Sequence, residues 1–139
     1  MIQVTASAAA IVLNSLSAVA TILCIDDQTY GLAARVEWLR SHGLTVFVAD
    51  SVEGALDAVL NSPIDAAVFD CQMPGAFLVA GLLKRIRPAL PIIMLAAYCG
   101  VPCGHQSLVT ACLHRGEHPI ALLQALRNVI SSASPEAAA

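Results

Sequence analysis

Charge is what this chain has least of. Asp, Glu, Lys and Arg make up only 12% of its 139 residues, where about 25% is ordinary. Residues 1–20 carry no charged side chain, the first basic residue is Arg35, and Lys84 is the single lysine. With seven scattered basic residues and a net charge of −3, the chain has no basic patch for a nucleic acid. Aromatic residues are scarce at 4%. The five cysteines (24, 71, 99, 103 and 112) are an odd set without a CxxC pair, which excludes a disulfide scaffold and points to a reducing, cytoplasmic compartment. There is no GxSxG elbow, no Walker loop and no dinucleotide-type glycine turn, so the conventional enzyme classes have nothing to stand on. The chain reads as a non-enzyme.

What is present is apolar. Hydrophobic residues reach 58% and the mean hydropathy is +0.74, with alanine supplying much of the excess. The length suits one domain with a core that needs no metal staple. So little charge also suggests an apolar face kept for a partner or for a second copy of the chain.

Residues 1–20 admit three readings. A signal peptide lacks its basic start, and a membrane span is diluted by Gln3, Thr5, Ser7, Asn14, Ser15 and Ser17. A helix packing Ile11, Val12, Leu16 and Val19 is the expected one, and no membrane span is expected. Residues 21–131 form the domain and 132–139 a tail.

Within the domain, apolar runs alternate with helical periodicity. Strands are expected at Thr21–Ile25, Leu44–Ala49, Ile64–Asp70, Ile92–Ala97 and Ala111–Arg115, the last one burying Cys112. The first helix is capped by Thr29, runs to His42 and buries Leu32, Val36 and Leu39; Gly43 ends it. The second starts after Asp50-Ser51 and buries Val52, Ala55, Leu56, Val59 and Leu60 at i, i+3, i+4, i+7, i+8. The third covers Ala76–Arg87 and ends in the basic cluster Lys84, Arg85, Arg87. After a loop at 98–106, a helix from Pro119 to Ser131 turns Leu123, Leu126 and Ile130 inward. Right-handed crossovers make this α/β: a doubly wound, five-stranded parallel sheet. Strand order 2-1-3-4-5 would bring Asp26-Asp27 after strand one and Asp70 at the end of strand three to the topological switch point. Three carboxylates would then meet at one sheet edge, and that constellation has to be explained.

In order and spacing, ILCIDD, the strand-ending VFD with CQMPG, PIIMLAAY and LHRGEHP resemble the response-regulator receiver domain of two-component signalling, a flavodoxin-like fold. The resemblance covers Thr21 to Ile130. It implies that Asp70 is the phosphoacceptor of a phosphorelay, that Asp26, Asp27 and Asp70 hold Mg²⁺, and that the phosphodonor is a histidine kinase or phosphotransfer protein. The switch positions depart from the family. Ala96 stands where Ser or Thr is usual, Arg115 replaces the lysine that pairs with the acceptor, and the stretch after Gly75 is altered. Tyr98 keeps the aromatic expected beyond strand four. The expectation is a single-domain, cytoplasmic response regulator whose output is contact with a downstream protein, with a homodimer as a further option. The alternative is a phosphorylation-independent pseudo-receiver serving as an interaction or dimerisation module. A zinc or redox site on Cys99, Cys103, His105, Cys112, His114 and His118 is a distant third, since only Cys99 and Cys103 have a finger-like spacing.

Overall fold

The computed structural model describes residues 20–26, 29–96 and 106–133. The expected extension at 1–19, the acid Asp27, the positions Ala97 and Tyr98, the residues Cys99, Cys103 and His105, and the tail beyond 133 lie outside them.

Five short strands form the sheet: β1 (Thr21–Ile25), β2 (Thr45–Ala49), β3 (Ala66–Asp70), β4 (Ile92–Ala96) and β5 (Ala111–His114). Four helices connect and cover them: α1 (Thr29–Ser41), α2 (Val52–Asn61), α3 (Ala76–Ile86) and α4 (Pro119–Ala133), with a 3₁₀ turn at Gln106–Leu108. The order is β2-β1-β3-β4-β5, as the strand-end acids suggested. Every pairing is parallel. Because β1, β3 and β4 are covered on both faces, all their residues are buried. That is why they read as unbroken apolar runs.

Strand alternation divides the core in two. Ile22 and Cys24, Ala66 and Val68, and Ile93 and Leu95 pack beneath Leu32, Val36 and Leu39 of α1 and Leu122, Leu123, Leu126 and Val129 of α4. Leu23, Ile25, Ala67, Phe69, Ile92 and Met94 face Ala55 and Val59 of α2 and Ala76, Val79, Ala80 and Leu83 of α3.

The turns are specified locally. Gly43 (φ 92°) ends α1 and Gly75 (φ 77°) caps the start of α3, both in the left-handed region that a Cβ disfavours. Ser51 caps α2 by accepting the Gly54 N–H at 3.1 Å. Lys84 closes α3 by donating to the carbonyls of Pro88 (3.0 Å) and Leu90 (2.9 Å).

Several expectations are corrected. Cys112 is exposed, because β5 is an edge strand whose alternate residues, Ala111 and Leu113, are the ones packed on the core. Leu60 is 65% exposed at the end of α2, beyond the reach of the sheet. Ile130 is only partly buried, and Leu122 and Val129 supply the rest of the α4 contact. Thr29 is the first residue of α1 rather than its cap, Leu44 precedes β2, and Arg115 follows β5.

Candidate functional site

The carboxyl ends of β1, β3 and β5 carry the site, and register decides who meets whom. Ile25 pairs with Phe69, Asp70 with Leu95, and Leu95 with Leu113. Asp26 continues the alternation of Ile22 and Cys24. Asp70 continues that of Ala66 and Val68, and Arg115 that of Ala111 and Leu113. All three therefore fall on the face covered by α1 and α4. Ala96 continues the opposite alternation, in step with Ile92 and Met94.

Asp26 and Asp70 are each 2% exposed. Carboxylates buried to that degree require partners. Asp70 has two: the backbone N–H of Gln72 donates to Oδ1 at 2.9 Å, and Nη2 of Arg115 donates to Oδ2 in a charge-assisted hydrogen bond. The Asp70 bond in turn raises the Arg115 pKa above the ordinary arginine value. Arg115 is placed by its own N–H, which donates to the Ala96 carbonyl at 2.8 Å, and its Nε is buried without a partner among the described residues. Across the site, Nη1 of Arg35 on α1 stands 3.7 Å from Asp26 Oδ2. The site thus pairs two buried acids with two guanidiniums.

Arg35 is the functional neighbour that sequence reasoning missed. The signal was available: Gly31, Ala34, Arg35 and Trp38 recur at i, i+3, i+4, i+7, a second stripe beside the buried one, and all four line a cavity of about 400 Å³ next to Asp70. Of the expected site residues, the structure brings Asp26, Asp70 and Arg115 together and buries Ala96 at 4% exposure. Asp27 and Tyr98 are outside the described residues. No group of three or more His, Cys, Asp or Glu residues gathers as metal ligands among the described residues.

Comparison with known proteins places the chain. The family model for the response regulator receiver domain matches residues 22–112. The chain belongs to that family. It is 30% identical over 94 residues to the transcriptional regulatory protein ZraR of Escherichia coli, a match covering 66% of this chain and 21% of ZraR. The receiver domain therefore spans about a fifth of the length of the curated relative it matches. In fold, it is similar to a CheY-like response regulator receiver domain protein from Methanospirillum hungatei, with a TM-score of 0.74 at 21% identity, covering 85% of this chain and 98% of that one. It is also similar to the response regulator TrrA of Thermotoga maritima in complex with Mg²⁺-BeF, with a TM-score of 0.70 at 23% identity over 79% of this chain and 98% of that one. This is a receiver domain of two-component signalling. Within the described residues of the receiver, no helix is long and apolar enough to cross a membrane.

Proposed function

We propose that this receiver domain accepts a phosphoryl group on Asp70 and signals by protein–protein contact in the cytoplasm. The phosphodonor is a histidine kinase or phosphotransfer protein. An Asp70 oxygen forms a bond to phosphorus as the donor's histidine nitrogen–phosphorus bond breaks; with a proton already on the other ring nitrogen of the donor, the products are an acyl phosphate and a neutral imidazole. The observation that carries this reading is the buried Asp70 carboxylate at the end of a central strand, with a guanidinium on one oxygen and a backbone N–H on the other. Positioning and charge compensation are what phosphoryl transfer demands of a protein.

The family implies Mg²⁺, and the donors fit it. Asp26 and Asp70 supply hard carboxylate oxygens at one sheet edge, and Asp27, from its place in the sequence, would complete the set. The cation would neutralise charge on the incoming phosphoryl oxygens. Arg115 would follow Asp70 into the phosphorylated state, bonding the new oxygens where a lysine is usual in the family. The complex of TrrA with Mg²⁺-BeF supports the same cation for a related fold. The receiver is no enzyme in this reading, and a homodimer is one form its output contact could take.

A second reading is favoured by two specific observations: Arg115 already occupies Asp70, and Ala96 offers no hydroxyl to a phosphoryl group. In that case the domain is a constitutive interaction module. Intact-mass spectrometry after incubation with Mg²⁺ and acetyl phosphate separates the two. A single phosphoryl adduct on the wild type and none on Asp70→Asn is expected. A folded wild type without an adduct overturns the proposal in favour of the second reading.

A further inference from the structure

Asp26 and Asp70 each have a guanidinium beside them. The charges of those two acids and two cations cancel, so this part of the site is compensated before any divalent cation arrives. A metal ion that takes both carboxylates must contend with positive charge already in place.

The two pairs are not held equally. Arg115 is hydrogen-bonded to Asp70, its Nε is buried, and its backbone N–H is tied to the Ala96 carbonyl at 2.8 Å. Arg35 reaches in from α1, and its Nη1 stands 3.7 Å from Asp26 Oδ2. That is an ion pair beyond hydrogen-bond range. Of the two guanidiniums, Arg35 is the one that can be exchanged.

It also has somewhere to go. Asp26, Arg35, Trp38 and Glu117 line one cavity of about 400 Å³ between α1 and α4. The Arg35 side chain is 17% exposed and that of Asp26 3%. The guanidinium can therefore withdraw toward water or toward Glu117, whereas the carboxylate cannot follow it. A buried carboxylate stripped of its counter-ion is costly, so Asp26 gives up one cation only for another.

We infer that Arg35 is a built-in competitor for the metal: its guanidinium and Mg²⁺ take turns at Asp26, and loading the site displaces it. On the reading that Asp26 and Asp70 hold Mg²⁺, on which this rests, Arg35 sets the Mg²⁺ concentration at which the acceptor site fills. Arg35 is a positioning residue, acting through Asp26.

Trp38 is the chain's one tryptophan and lines the same cavity, so its indole N–H gives one NMR signal at the site. Titrated with Mg²⁺ alone, the whole chain should show a saturable shift of that signal. Arg35→Gln should bind Mg²⁺ at least about tenfold more tightly. Arg40→Gln removes the same charge from the same helix, at a guanidinium that donates to the Val46 carbonyl at 2.7 Å. At physiological salt it should change the affinity by less than about twofold. In thermal melts, Mg²⁺ should raise the Tm of Arg35→Gln more than that of wild type, because tighter binding to the folded state stabilises it further. Equal or weaker Mg²⁺ binding by Arg35→Gln, or an equal gain in Arg40→Gln, would overturn the exchange and leave the metal site standing. No saturable response from any of the three proteins would overturn the assignment of Mg²⁺ to these acids, and the exchange with it.

Discussion

Removing the guanidinium of Arg115 should destabilise the domain more than removing the charge of Asp70. The pair is lopsided: the Asp70 side chain is 2% exposed and that of Arg115 28%. Breaking a fully buried pair by deleting one partner costs about 3–5 kcal/mol, whereas an exposed pair is worth about 0.2–1 kcal/mol. Arg115→Gln leaves a buried carboxylate with the Gln72 N–H as its remaining described partner, so a cost of about 2 kcal/mol is expected, between those limits. Asp70→Asn keeps an oxygen for Gln72 and relieves a buried charge, while Arg115 turns toward solvent. Its cost should stay within about 1 kcal/mol. The double variant should then show a coupling energy of about 1–2 kcal/mol. Urea unfolding followed by circular dichroism at pH 7, on all four proteins, measures each quantity. A coupling below about 0.5 kcal/mol, or an Asp70→Asn cost larger than that of Arg115→Gln, would refute the claim that the guanidinium compensates a buried carboxylate.

Two further predictions concern the scaffold. Gly75→Ala should cost about 1–2 kcal/mol because φ is 77° there, although a Cβ would have open space; Gly31→Ala, in helical backbone with equal room, should stabilise by up to about 1 kcal/mol, and matched thermal melts compare them. Burial pushes the Cys24 thiol up from 9.0 to about 12. Because the folded pKa is raised, its stabilisation is complete below pH 9 and is lost progressively between 9 and 12, at about 1.4 kcal/mol per pH unit. Unfolding free energies of wild type and Cys24→Ala across that window should diverge accordingly; parallel curves would show that Cys24 is not buried as a neutral thiol.

The sequence by itself determined the architecture, and for a physical reason. Strands buried on both faces must be apolar throughout, as TILCI, AAVFD and IIMLA are. Helices with one inward face must show a 3.6-residue period, as Val36 and Leu39 do from Leu32. Gly43 and Gly75 marked the turns because only glycine enters their backbone region cheaply. The acids Asp26 and Asp70 were legible because each ends such a strand. Tertiary structure alone decided what touches them. Asp70 and Arg115 are 45 residues apart in sequence, and whether they pair depends on the register across β3, β4 and β5. Arg35 lies outside the stripe of Leu32, Val36 and Leu39, and only the packing of α1 on the sheet sets its guanidinium 3.7 Å from Asp26 Oδ2. Cys112 looked like core and is exposed, because an edge strand's cover depends on its neighbours and not on its own residues. The cavity between α1 and α4 was only half legible: the stripe Gly31, Ala34, Arg35 and Trp38 lies within one segment, whereas Leu95, Leu113, Pro119 and Leu122 come from segments that only the fold brings to it, because contacts between distant segments depend on the sheet's register and on helix packing.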